Sequence, residues 1–272
     1  MEPRSDTVQE DFNYDPDRNY DEVIMAQQRI IEKEIAESQP LISNLLTFDE
    51  IVEEYSDEDS VYRHKIEDLK GRYKNMRKTR GDGNCFFRAF GFSFLEKLLQ
   101  DADGYKSFVD VVHKSKDMLI SLGFPQFTLE DFYDTFVDIV KQVECPGTVE
   151  KLLETFNDQG LSDYFVVYLR LLVSGHLQAN EESYIHFIDG ERTVRQFCSQ
   201  EVEPMGRESD HIHIVALTKA LQVPICVEYM DREGLACNAF NFNPSDATDE
   251  ADPKPTVTLL YRPGHYDILY PL

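Results

Sequence analysis

Thr79–Phe92, TRGDGNCFFRAFGF, changes character at one residue. Gly81, Asp82, Gly83 and Asn84 are turn formers that tolerate positive φ. Phe86, Phe87, Phe90 and Phe92 demand burial. Cys85 stands where the tight loop becomes a buried element. A helix starting there aims its free N–H groups and the positive end of its dipole at the sulfur. A thiol in such surroundings is a nucleophile in waiting.

A nucleophilic cysteine needs a base, and Tyr261–Tyr270, YRPGHYDILY, offers one. His265 and Asp267 are two apart, so on a strand they project from the same face while Tyr266 points the other way. Pro263-Gly264 supplies a turn that exposes the histidine at the strand's beginning. An acid so placed can hold the imidazole by its far nitrogen and set tautomer and orientation. Taken singly, a cysteine beside phenylalanines is more often a core residue, and a histidine on a strand is ordinary. Jointly, G-D-G-N-C opening an aromatic helix and H-x-D on the last strand form a specific pattern.

Between these motifs the chain reads as helices first and a sheet last. An amphipathic helix is expected over residues 21–38, with Ile24, Ile31 and Ile35 on one stripe, Asp21 as cap and Pro40 beyond its end. Helical patterns follow over 59–76 and 85–100, then in SFVDVVHKSKDMLISLG, which ends at Gly123. Thr128 and Asp131 form a capping box ahead of FYDTFVDIVKQVE, and Ser162 is placed to cap YFVVYLRLLVSGHL, the expected central buried helix. RTVRQFCSQEV is a short helix, and Ser209 or Asp210 caps IHIVALTKALQ. VPICVEYM, PTVTLLYR and HYDILY read as strands, with antiparallel pairing, and FNPSDATDEADPKP as a polar loop between them. The fold class is α+β.

Composition narrows the function. The 272 residues are 42% hydrophobic, enough for a packed core. Five cysteines without a C-x-x-C pair, and an N-terminus without an apolar signal segment, point to reduced thiols in cytoplasm and nucleus. The most apolar window, YFVVYLRLLV, is short and interrupted by Arg170, so no membrane span is expected. A net charge of −24 repels nucleic acid and anionic lipid and suits a basic partner. Residues 1–60 hold 18 acids against four basic residues, and the first 19 read as disordered. The basic island Arg63–Arg80 carries eight Lys/Arg but no aromatic platform, and reads as a solvated helix face rather than a nucleic-acid site. His211 and His213 would diverge on a helix and have no second pair, which argues against a metal.

GDGNCFFRAF with GHYDILY strongly resembles the ovarian-tumour (OTU) family of papain-like, deubiquitinating cysteine proteases. IMAQQRIIEKEI, FNDQGLSDYFVVYLRLLVSG, EVEPMGRESDHIHI and LLYRPGHYDILY are similar to the otubains within it, from about residue 20 to the end. The resemblance implies a helical lobe on a small, mostly antiparallel sheet over 41–272, with residues 1–40 an acidic N-terminal arm. It implies Cys85 as nucleophile on an isopeptide carbonyl, His265 as general base and acid, Asp267 as its orienting residue, and Asp82 as part of the oxyanion-hole loop. Asn84 and His211 are implied in substrate binding, with His186–Arg192 and EVEPMGRESDHIHI as candidates for holding the distal ubiquitin. Ile24, Ile31 and Ile35 would contact a second ubiquitin. A monomer without cofactor is implied, preferring lysine-48-linked chains and also blocking ubiquitin-charged conjugating enzymes without cutting. The competing reading is a purely non-catalytic ubiquitin-binding regulator.

Overall fold

The computed structural model describes residues 20–56, 59–144, 146–245 and 254–272. The acidic residues 1–19, expected to be disordered, and Cys145 lie outside them. By its contacts the chain divides into two units, Met1–Ser38 and Gln39–Leu272. The described part of the first is α1 (Tyr20–Ser38), which starts one residue before Asp21. On it Val23, Ile24, Met25, Ile30 and Ile31 are exposed and Ile35 is half-buried.

The second unit opens with α2 (Phe48–Val52), α3 (Ser60–Lys70) and β1 (Tyr73–Arg77). Here the expected helix over 59–76 is two elements. Gly71 ends α3, and the chain extends to pair Arg77 with Ile268. The basic island is a solvated face only in part: Lys70, Arg72 and Lys74 are exposed, but three of its cations are buried. Lys65 is fully buried, donating at 2.7 Å to Asp231 Oδ1 and to the Glu233 carbonyl, and Arg77 and Arg80 are buried as well. Burial of these charges is tolerated because each finds acceptors inside the fold.

Six longer helices build the other lobe: α4 (Cys85–Leu98), α5 (Ala102–Ser121), α6 (Gln126–Lys141), α7 (Val149–Asn157), α8 (Gln159–Ala179) and, after the single-turn α9 (Glu181–Tyr184) and α10 (Val194–Phe197), α11 (His211–Leu221). A π-helical turn, Cys198–Val202, follows α10. Two caps differ from expectation. Asp158 caps α8 by accepting from the Leu161 N–H, while Ser162 lies inside the helix and accepts from Arg88 Nε. Likewise α6 starts at Gln126 after Pro125, so Thr128 falls within its first turn. Proline's preset φ begins the helix earlier than the Thr–Asp pair would. Asp210 caps α11, its N–H donating to His213 Nδ1 at 3.0 Å. Both α8 and α4 are buried almost all round, and in α4 only Glu96 and Lys97 reach solvent appreciably.

The sheet adds β2 (Ile225–Tyr229), β3 (Asn238–Phe242), β4 (Val257–Arg262) and β5 (His265–Pro271) in the order β1-β5-β4-β2-β3. It is mixed: β2 and β4 run parallel and the other neighbours antiparallel. After the β2–β3 hairpin the chain returns across to the free side of β2, which forces that one parallel pair. Strand alternation splits the core. Leu259, Tyr266 and Ile268 pack with the aromatic helices, whereas Leu260 and Leu269 pack with Phe48, Ile51, Ile66 and Leu69 of α2 and α3. His265 and Asp267 share the second face. A two-residue turn, Pro263-Gly264 with Gly264 at φ 76°, sets Arg262 opposite His265.

Candidate active site

Two neighbouring connections bring residues 85 and 265 together. Beyond β1 the chain continues along β5, where Thr79 donates its N–H to Asp267 Oδ1 at 3.0 Å and its hydroxyl to the Tyr266 carbonyl. The next residues, Gly81–Asn84, therefore turn beside the start of β5, and α4 begins at Cys85. The Cys85 thiol lies close enough to the His265 imidazole to raise the ring's pKa. The ring's Nε2 donates to Asp267 Oδ1 at 2.9 Å, which leaves Nδ1 facing the sulfur and Gly81.

Asp267 is fully buried. Besides the imidazole and the Thr79 amide it accepts from Arg262 Nη2, and Arg262 Nη1 donates to Tyr55 Oη at 3.2 Å. Burial alone would raise its pKa. The His265 hydrogen bond, the Arg262 charge and the Thr79 N–H outweigh that and hold the carboxyl below its ordinary value. His265 shows the complementary balance. Burial pulls the imidazole down, but the bonds to Asp267 and Cys85 and their charges win and push it up to about 9. A ring that stays cationic at neutral pH is the partner a thiolate needs.

The loop before the nucleophile is held from below. Arg88, fully buried one turn into α4, clamps both Asp82 carboxylate oxygens at 2.8 and 2.9 Å and reaches Asp163 at 3.1 Å. Asp82 Oδ1 also accepts the Asn84 N–H, and the Asp82 N–H is bonded to the Arg80 carbonyl. Asp82 thus shapes the turn with its side chain and keeps no free donor of its own. Among the described residues, neither the Gly83 nor the Cys85 N–H has an acceptor. One belongs to the nucleophile itself and the other to the residue two before it.

Asn84 differs from its expected place on the binding surface. The residue is buried, with Oδ1 accepting from Arg170 Nη2 and the Gly206 N–H, both at 2.9 Å. Buried, with its amide oxygen taken twice, it joins two loops.

His211 lies elsewhere, exposed at the start of α11 with its ring 4.8 Å from that of Phe242. It lines an open groove of about 470 Å³ together with Phe187, Asp189, Arg192, Glu208 and Ile212. The segments 186–192 and 201–214 meet there, and Glu208 also borders the Gly264 turn ahead of His265. Ile24, Ile31 and Ile35 belong to α1, in the other unit. Among the described residues no three His, Cys, Asp or Glu side chains converge as a metal site would require.

Arg88, Arg170, Thr79 and Arg262 escaped the sequence reading. Arg262 alone left a trace, standing directly before the Pro-Gly turn and so opposite the histidine.

Residues 34–271 match the family described as Peptidase C65 Otubain. Ubiquitin thioesterase OTUB1 of Homo sapiens is 55% identical over 252 residues, spanning 92% of this chain and 90% of that protein. Ubiquitin thioesterase OTUB2 of Homo sapiens is 43% identical over 213 residues, 78% and 88% of the two chains. The OTUB1 chain of a solved h/ceOTUB1–ubiquitin aldehyde–UBC13~Ub complex superposes with a TM-score of 0.86 at 38% identity, covering 93% of this chain and 99% of that one. With the GDGNC loop, the H-x-D strand and these likenesses in agreement, the chain belongs to the otubain family of C65 cysteine peptidases.

Proposed function

We propose that this protein is a thiol-dependent deubiquitinase that hydrolyses the isopeptide bond between a ubiquitin C-terminus and a lysine. One observation carries the reading: a thiol at a helix start lies beside an imidazole whose Nε2 is held by a buried carboxylate. Cys85 attacks the carbonyl, and the Gly83 and Cys85 N–H groups receive the developing oxyanion, a role usually worth about 3 kcal/mol per donor. His265, already protonated, gives its proton to the departing lysine amine. A ubiquitin thioester remains on Cys85. His265, now neutral, takes a proton from water, which cleaves the thioester and restores the thiolate. Asp267 keeps Nδ1 aimed at the sulfur throughout. No metal or cofactor enters these steps.

The groove around His211 takes the distal ubiquitin, its mixed acidic and apolar lining fitting a basic rim around an apolar patch. Relatives are named ubiquitin thioesterases, and the similar solved complexes contain UBC13~Ub and UBCH5B~Ub. On that basis the protein also binds ubiquitin-charged conjugating enzymes and blocks transfer without cutting, with Ile24, Ile31 and Ile35 of α1 meeting a second ubiquitin. Two ubiquitin sites allow one linkage geometry over Cys85, and lysine-48 is the linkage proposed. The free thiols Cys85, Cys198, Cys226 and Cys237 suit a reducing compartment, the cytoplasm or nucleus.

Ubiquitin carrying a C-terminal electrophile tests the reading. A covalent adduct mapped to Cys85, absent in Cys85→Ala, is expected. An adduct on another cysteine, or none on a folded protein, would sink it. If Cys85→Ala still blocks conjugation, the second activity needs no thiolate.

A further inference from the structure

Arg170 makes four side-chain hydrogen bonds that the chemistry above does not use. It lies in the middle of α8, fully buried, its guanidinium 4.7 Å over the Phe87 ring. Nη1 donates to the Val202 carbonyl at 3.0 Å. Nη2 donates to the Gly83 carbonyl at 3.0 Å, Asn84 Oδ1 at 2.9 Å and the Arg207 carbonyl at 2.7 Å. All four acceptors are uncharged, and among the described residues no carboxylate pairs with this cation.

A buried guanidinium without a counter-ion is costly, and the interior ordinarily supplies one. Here burial depresses it to about 10, with the charges of Asp82 and Cys85 acting the other way. Asp82 is already neutralised by Arg88. The bonds to Gly83 and Asn84 hold the Arg170 charge directly beneath the residue that precedes Cys85. The charge of Cys85 acts on His265 and Tyr266 from β5 and on Arg170 from α8, and Asp82 of the preceding loop acts on Arg170 as well. Arg170 also opposes protonation of His213 on α11, which burial already disfavours, so the charge is not balanced from that side.

We propose that Arg170 is a positioning residue for the reaction at Cys85, acting in two separable ways. Its fork ties the Gly83–Asn84 loop to the 202–207 loop, fixing the N–H groups that receive the oxyanion. Its charge, held under the start of α4, favours the thiolate–imidazolium pair. The inference rests on Cys85 being a nucleophile and not on ubiquitin being the substrate.

The two effects separate in Arg170→Lys, which keeps the charge and loses the fork, and Arg170→Met, which loses both. The readouts are alkylation of Cys85 by iodoacetamide against pH, which needs no ubiquitin, and turnover of a ubiquitin C-terminal ester. The acidic limb of the alkylation profile reports the Cys85–His265 pair as a unit. It is expected to stay in place in Arg170→Lys and move up by about one pH unit in Arg170→Met. The kcat is expected to fall roughly 30- to 100-fold in Arg170→Lys with KM changed less than threefold, a loss confined to the transition state. Arg170→Met should fall further. Wild-type kcat in Arg170→Lys, or a wild-type alkylation profile in folded Arg170→Met, overturns the proposal. If Arg170→Met does not fold, Arg170→Lys decides alone: a displaced limb or an unchanged kcat refutes it. Failure of the ester to react with any variant while alkylation behaves as described strikes the ubiquitin assignment instead.

Discussion

A Cβ placed on Gly83 would stand 2.0 Å from the carbonyl oxygen of Gly206, with Gly83 at φ 74°. The loop that precedes the nucleophile therefore rests on the backbone of the loop that leads to the His211 groove. Asn84 and Arg170 reinforce the same joint. An alanine here must both strain its backbone, by about 1–2 kcal/mol, and push two loops apart. We expect Gly83→Ala to lower turnover of a ubiquitin ester about 100-fold, as the loss of an oxyanion donor does, and to reduce the melting temperature. Gly81→Ala is the control, since its Cβ meets only the edge of His265 at 3.5 Å and should cost less than tenfold. Equal effects would show that the joint has no special place in catalysis.

Asp267 is the largest influence raising the His265 pKa, so its loss moves the ring downward. The alkaline limb of kcat/KM, expected near 9 in the parent, should shift to lower pH in Asp267→Asn. Turnover should drop on the order of 10²–10⁴-fold, less than in His265→Ala. Asn is preferred to Ala because its Oδ1 can still accept a hydrogen bond, whereas Ala leaves Thr79, Arg262 and the imidazole all without that acceptor. A limb that stays put, or a greater loss in Asp267→Asn than in His265→Ala, contradicts the orienting role.

Stability should peak near neutrality. His265, raised to about 9 by Asp267 and Cys85 against burial, contributes stability fully present below about 6.5 and lost as pH rises through 9. His176 acts oppositely. Burial lowers it to about 4, so the folded state refuses a proton that the unfolded chain accepts. Its contribution is present above about 6.5 and declines toward pH 4, by on the order of 3 kcal/mol over the window. Urea unfolding at pH 4.5, 6.5 and 9 should show His176→Gln losing less than the parent on the acid side alone. A uniform loss at all three pH values refutes the assignment.

Deleting residues 1–38 should leave hydrolysis of a small ubiquitin ester within about twofold, while weakening chain cleavage and the block on conjugation. The cut belongs before Gln39, whose carbonyl accepts from Arg80 Nε at 3.0 Å, and not at residue 40. Parallel loss of all three activities would mean that the helix carrying Ile24 and Ile31 serves the fold and not a second ubiquitin.

Local chemistry alone made Cys85, His265 and Asp267 visible in the sequence, because turn formers, a helix start and strand alternation each operate within a few residues. The α+β class and most helices were legible for the same reason. β1 was not, since YKNMR lacks β-branched residues and continues a basic helical pattern; only pairing with β5 makes it a strand. β3, exposed along most of NAFNF, was invisible likewise. Arg170 looked like an interruption in an apolar window. What a buried guanidinium bonds to is decided by carbonyls 32 to 87 residues away in the chain, and no local pattern encodes that distance. The nucleophile was written in a short motif. Its alignment with His265, and the clamp on its loop, exist only once the sheet has closed, because hydrogen bonds of this kind are selected by proximity in space and not by spacing in sequence.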